Sequence, residues 1–320
     1  MVEVGSGPYK YDLIEGWGKL PEGMSFGAVT GIVVDSQGRV IVCQQQMDPP
    51  MLVFDRDENY LNSWGTNLLP EPHTLFIDSD DIIYVTDRVA HVAMKFTVDG
   101  KLLLELGNRD TPSDTGCIEE EGVVLRPGGP FNAPTRMSPS PMGDIYVSDG
   151  YRNCRVHRFS SDGKLISSWG QPGDSAVVQA QVMKGYLYPT IGFHHLPGEI
   201  RSPHCLWVTS DGKVYVCDRL NNRIQIFSHT GEFLDQWRGL GWPTDLFVDT
   251  SGDFFVAERP DHESQVNSMV VRDSSGKEKA RWDTPKNHQT WHDSHGNMFL
   301  VGGQIAEPRS KAIYKYVRKR

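Results

Sequence analysis

Nowhere in these 320 residues is there an apolar run approaching the roughly 20 positions that a membrane-spanning helix needs. The net charge of −9 is opposite in sign to a general nucleic-acid surface, and the basic tail Lys315 to Arg320 reads as a solvated terminus. The N-terminus, MVEVGSGPYK, lacks the basic-then-apolar order of a secretion signal. Cysteine is scarce: five residues, an odd number, with no CxxC metal motif. That usage fits a reducing, cytoplasmic setting. Cys43, Cys154, Cys205 and Cys217 fall in or beside strand-like runs and read as small buried hydrophobes. No GxSxG, Walker, Rossmann or EF-hand pattern is present. These absences exclude the commonest nucleotide, serine-hydrolase and calcium-loop chemistries. They leave a chain expected to meet a small-molecule substrate, with no nucleic acid and no membrane; the oligomeric state stays open.

What the chain has is a repeat. Eight Trp, 32 Gly and 20 Pro suit many short strands joined by tight turns. Six copies of one pattern begin at Thr30, His73, Thr135, His204, Thr244 and His288, so the first position alternates Thr and His. Each opens an apolar run that ends in a polar turn: TGIVVDSQG, HTLFIDSDD, TRMSPSPMG, HCLWVTSDG, TDLFVDTSG, HQTWHDSHG. In five copies the turn begins five positions after the anchor; the Thr135 copy reads as one residue longer. The copy from His204 splits into CLWV, KVYVC, RIQIF and EFLDQW, separated by SDG, DRLNN and SHTG. A period near 40 residues built from such hairpins predicts an all-β, six-bladed β-propeller of four antiparallel strands per blade. The last copy ends at IYKYV, after its third strand, and YKYDLIEGWG near the N-terminus resembles the ends of other blades. Residues 9–18 are therefore expected to close the last blade, giving a single domain over 1–320 with blades across 25–316. Insertions at about 108–133 and 171–202 are expected to wall one face.

Blade geometry makes the six anchors equivalent around one axis. Three histidines on alternate blades, His73, His204 and His288, then converge at the mouth of the channel. Three neutral imidazoles with a free fourth position describe a catalytic metal site, with Zn²⁺ the leading ion and other divalent transition metals open. The alternative is a polar plug hydrogen-bonded to backbone and water. Thr30, Thr135 and Thr244 become supporting or wall groups. Tyr151, in SDGYRN, sits in a second-to-third-strand loop, where a phenol can give or take a proton or simply line the rim. Arg88, Arg219 and Arg259 share one loop position in TDR, CDR and AER. Each can clamp a carboxylate, or the acidic–Arg pair can merely fix a turn. His194 and His195, in a long loop, offer a further ligand or a proton shuttle, or a solvated pair. His91, His157, His229, His262, His292 and His295 read as structural.

The segments DRLNNRIQIF and DGYRNCRVHRF resemble NHL repeats. PEPHTLFIDSDDIIYVTDRVAH, VSDGYRNCRV, SPHCLWVTSDGKVYVCDRLNNRIQIF and NHQTWHDSHGNMFLVGG, read together, are similar to the peptidyl-α-hydroxyglycine α-amidating lyases, over roughly residues 25–316. The resemblance implies His73, His204 and His288 as zinc ligands, Tyr151 as a catalytic tyrosine and Arg219 as a substrate-contacting arginine. It implies cleavage of a carbinolamine into an amide and glyoxylate. Three departures stand out. The first-blade loop that carries a second substrate arginine in that family reads VIVCQQQMDPP, with Gln44, Gln45 and Gln46. Arg152 stands where the family has a cysteine after its tyrosine. Gln289 replaces a family calcium ligand, an aspartate after the third histidine. The expectation is a zinc-dependent lyase of bacterial type, with Tyr151 and Arg219 catalytic and Arg88, Arg259, Gln45 and His195 binding substrate. A metal-dependent hydrolase of a lactone, ester or amide is the second reading, and a non-catalytic interaction scaffold the third.

Overall fold

The structure is a computed structural model and describes residues 2–118, 123–173, 196–260, 266–303 and 308–319. Six antiparallel sheets stand around one axis. Blade one holds β3 (Ala28–Val34), β4 (Val40–Gln45), β5 (Met51–Phe54) and β6 (Tyr60–Trp64). Blade two holds β7 (Pro72–Ile77), β8 (Ile83–Asp87), β9 (Val92–Phe96) and β10 (Leu102–Gly107). Blade three holds β11 (Pro134–Pro139), β12 (Ile145–Asp149), β13 (Arg155–Phe159) and β14 (Leu165–Trp169). Blade four holds β15 (Pro203–Val208), β16 (Val214–Asp218), β17 (Arg223–Phe227) and β18 (Phe233–Trp237). Blade five holds β19 (Trp242–Val248), β20 (Phe254–Arg259), β21 (Ser268–Arg272) and β22 (Glu278–Asp283).

Blade six is built from both ends of the chain. β23 (Gln289–His292), β24 (Met298–Val301) and β25 (Ile313–Arg318) are followed by β2 (Tyr9–Glu15), which pairs antiparallel with β25 from Tyr11↔Arg318 to Glu15↔Tyr314. The N-terminal strand thus closes the ring and leaves no open blade edge there. Outside it lies a fifth strand, β1 (Val2–Ser6), which the repeat pattern does not announce.

Burial follows strand position. The innermost strand β3 is buried almost throughout, because neighbouring blades cover it on both faces, whereas outer β18 keeps only Trp237 buried. Outer-strand tryptophans also join blades. Trp64 of blade one lies on the Gly100 turn of blade two, and Trp169 of blade three on the Gly231 turn of blade four. A Cβ on either glycine would sit 2.7 Å from the indole. The missing side chain is what lets each blade dock on the next.

Two expectations need correction. The Thr135 copy is not longer: its turn starts at Ser140, five residues on, where Gly143 N donates to Ser140 O at 3.0 Å, as Gly38 N does to Asp35 O. Ser140 Oγ accepts from Met142 N, as Asp35 Oδ1 accepts from Gln37 N. The serine does the aspartate's work in that turn. Cys205 and Cys217 are not separate thiols either. They face each other across β15 and β16 and are disulfide-bonded, while Cys43 and Cys154 are free and buried.

Candidate metal centre

Five of the innermost strands slip register beside their anchors, between Val29/Gly31, Pro72/Leu75, Pro134/Arg136, Pro203/Leu206 and Pro243/Asp245. In four of these a proline directly precedes the anchor. Proline has no N–H to give the ladder and is tolerated at such a bulge, but the Val29/Gly31 slip forms without one, so the bulge is a feature of the repeat that proline accompanies.

The alternation of Thr and His has a physical cause. Each histidine donates its Nδ1–H to the backbone carbonyl of the threonine on the following blade: His73 to Thr135 at 2.7 Å, His204 to Thr244 at 2.6 Å, His288 to Thr30 at 2.7 Å. Each threonine hydroxyl reaches forward to the residue before the next histidine: Thr30 to Pro72 O at 3.1 Å, Thr135 to Pro203 O at 2.7 Å, Thr244 to Asn287 Oδ1 at 3.3 Å. The six anchors form one closed circuit of hydrogen bonds around the mouth. A carbonyl can only accept, so every Nδ1 carries the proton and every Nε2 presents a lone pair.

Those lone pairs meet. The three Nε2 atoms lie within 4.8 Å of one another, and His73 Nε2 is 3.1 Å from His288 Nε2. All three rings are buried. Loss of solvent lowers His73 from 6.5 to about 3 and pulls His204 and His288 well below their ordinary value, so no Nε2 is protonated at neutral pH. The Tyr151 hydroxyl stands 2.9 Å from His73 Nε2 and 3.1 Å from His204 Nε2. It has one proton to give, and three buried acceptors to serve. Without a cation, two Nε2 lone pairs face each other and at least two acceptors stay unsatisfied, at a cost of about 1–3 kcal/mol each. A divalent transition metal removes that penalty, and three imidazoles are a donor set it accepts. The residues present therefore fit the metal.

Around the histidines the other named residues divide. Tyr151 occupies the loop between β12 and β13, held from behind by the 108–133 insertion: Thr115 Oγ1 donates to Arg152 O at 2.7 Å and Gly128 N to Asn153 Oδ1 at 3.1 Å. Arg88 and Arg219 place their guanidinium carbons 5.5 Å and 5.6 Å from the Tyr151 ring centre. Arg88 is already neutralised by Glu71, at 2.7 Å and 3.2 Å. Arg219 Nε is buried and has no hydrogen-bond partner among the described residues. Arg259 donates to Asn287 O at 2.8 Å. Burial and the neighbouring Arg219 lower it to about 10, which leaves it charged at neutral pH.

The acidic residues before these arginines do other work. Asp87 accepts from Glu71 N at 2.7 Å and Asp218 from Arg201 N at 2.7 Å. Each ties the end of a second strand to the approach of its innermost strand. That frees Arg88 and Arg219 to face the mouth. A cavity of about 270 Å³ opens between Glu71, Arg88, Cys117, Ala133, Tyr151 and Arg152. Gln45 is buried, and its amide nitrogen donates at 2.9 Å to Pro72 O, the carbonyl that also accepts from Thr30 Oγ1. His194, His195 and most of the 171–202 insertion lie outside the described residues. Glu71 and Asn287 were not singled out from sequence; each stands one or two residues before a histidine anchor, a spacing that marks them only once the anchors are known.

The NHL repeat model matches residues 201–227, the stretch containing β15 to β17. The chain is 30% identical over 277 residues to peptidyl-alpha-hydroxyglycine alpha-amidating lyase 1 of Drosophila melanogaster, covering 80% of this chain and 46% of the fly protein. It is 32% identical over 204 residues to peptidyl-glycine alpha-amidating monooxygenase B of Xenopus laevis, covering 62% of this chain and 20% of the frog protein. The chain thus spans less than half the length of either relative. A streptogramin B lyase structure superposes over 98% of this chain and 100% of its own, with a TM-score of 0.61 and 12% identity, a likeness of fold. The chain is a six-bladed β-propeller that carries an NHL repeat at residues 201–227 and is similar to the peptidyl-α-hydroxyglycine α-amidating lyases.

Proposed function

We propose that the chain is a metal-dependent lyase that splits a carbon–nitrogen bond in a small carbinolamine bearing a carboxylate. The observation that carries this reading is the placement of the Tyr151 hydroxyl against two of the three converging Nε2 atoms, beneath two arginines. His73, His204 and His288 would hold the ion, which when bound supplies a Lewis acid for the substrate hydroxyl. Arg219, whose Nε has no partner among the described residues, and Arg259 supply positive charge for the carboxylate. That charge replaces what Gln45 cannot provide. Tyr151 relays the proton: its oxygen takes the hydroxyl hydrogen as its own O–H hydrogen passes to the departing nitrogen, the electrons of the broken substrate O–H bond close to a carbonyl, and the C–N bond breaks toward nitrogen. The phenol is left as it began. Atoms and charge balance with no external reductant or water.

The test is direct. Zinc-loaded protein is incubated with an N-acyl-α-hydroxyglycine and assayed for glyoxylate and the primary amide in equal amounts. Full turnover by a Tyr151→Phe variant would remove the role given to the phenol. Release of the acyl fragment as a carboxylic acid carrying oxygen-18 from solvent would point instead to hydrolysis. A cytoplasmic setting belongs with this reading as an expectation, tested by fractionating cells that express the chain.

A further inference from the structure

Directly after His288 stands Gln289, fully buried within the channel. Its amide makes four hydrogen bonds, all to the backbone of other blades. Oε1 accepts from Leu75 N at 3.0 Å and Ile32 N at 3.3 Å; Nε2 donates to Leu75 O at 2.6 Å and Ile32 O at 3.2 Å. Every donor and acceptor of the side chain is used. Space for it comes from Gly31, where a Cβ would lie 2.9 Å from Oε1.

The three strands joined by this one amide carry the two closest members of the histidine cluster and a group that orients one of them. Ile32 lies two residues after Thr30, whose carbonyl fixes His288 Nδ1. Leu75 lies two residues after His73, whose Nε2 is 3.1 Å from that of His288. We propose that Gln289 is a positioning residue for the three-histidine centre, setting the separation of His73 and His288 by cross-linking β3 and β7 to β23. This inference rests on the metal reading above. Gln289 touches no reacting atom; it acts through the strands.

The chemistry of the amide is specific. Its nitrogen sits where two carbonyl oxygens converge, so it must donate twice. A carboxylate of the same size would set a third oxygen against those two, and only a hard cation such as Ca²⁺ would reconcile them. A methionine would fill the volume and leave four buried backbone groups unpaired.

The experiment uses the full chain and two variants, Gln289→Met and Gln289→Glu, with Gln225→Met as control. Gln225 is also buried and also bonds to backbone, giving to Glu199 O at 2.9 Å and accepting from Gly198 N at 3.0 Å, but it lies in β17, off the axis. Zn²⁺ affinity is read by competition with a chelating dye, and folding by thermal unfolding. Gln289→Met should weaken Zn²⁺ binding about 10- to 100-fold; Gln225→Met should lower the unfolding midpoint and leave Zn²⁺ affinity unchanged. Gln289→Glu should bind Zn²⁺ weakly and recover affinity when millimolar Ca²⁺ is added, to which the unaltered chain is indifferent. A folded Gln289→Met variant with undiminished affinity overturns the proposal. If that variant does not fold, a Gln289→Glu variant with full affinity and no response to Ca²⁺ overturns it instead. An unaltered chain that takes up no Zn²⁺ removes the metal reading itself, a different failure.

Discussion

The two ends of the innermost strands both hold buried, neutral histidine, and only one end makes a site of it. At the mouth, His73, His204 and His288 have their Nδ1 protons committed to carbonyls and their Nε2 atoms aimed at one point. At the other end, His292 is equally buried and likewise lowered to about 3 by loss of solvent. Its ring lies flat on Phe247 at 4.3 Å and edge-on to Phe255 at 4.4 Å, and its Nε2 has no partner among the described residues. Around it Phe76, Trp207, Phe247 and Trp291 pack ring against ring, with successive centres 5.2–5.3 Å apart. The basin below these aromatics, about 1150 Å³, is larger than the cavity beside Tyr151. Burial, suppressed basicity and cavity size therefore do not tell a site from a core. Convergence of oriented donors does.

Mutation can sharpen that contrast. His204→Ala should abolish tight Zn²⁺ uptake, measured by elemental analysis after desalting, while His292→Ala should keep a full complement of metal and lose about 1–3 kcal/mol of stability in denaturant titration. Equal metal loss in both would erase the distinction. Next in size, Tyr151→Phe should retain the ion and lower kcat about 10²- to 10⁴-fold on a carbinolamine. Arg219→Ala should raise KM about 10- to 100-fold, as expected for one charge-assisted contact of about 1.5–3 kcal/mol. The smallest effect is in pH. An ordinary imidazole binds metal less well below 6.5, where protons compete; burial moves that competition for His73 down to about 3. Zn²⁺ affinity at the mouth should then stay nearly level as pH falls from neutral to 5, and a tenfold loss per histidine per unit over that range would contradict the buried, neutral assignment.

Much of this was legible in the sequence because a closed ring turns a period along the chain into equivalence in space. Alternation of Thr and His at the anchors is enough to put three imidazoles on alternate blades. The N-terminal strand could be placed because the last repeat ends one strand short. What the sequence does not display is carried by the backbone. The carbonyls of Thr30, Thr135 and Thr244 orient the three histidines, and a carbonyl has no letter of its own. Gln45 and Gln289 look alike as polar residues near the mouth, yet both turn inward onto peptide groups. Cys205 and Cys217, twelve residues apart, meet only because β15 and β16 pair. The Ser140 turn was misplaced because serine stands where the other hairpins have Asp or Thr.

X-ray absorption on the zinc-loaded chain tests the central claim most directly. The account predicts one ion per chain with a first shell containing three imidazole nitrogens at about 2.0–2.1 Å. A shell of oxygen or sulfur alone, or a spectrum unchanged in the His204→Ala variant, would contradict it.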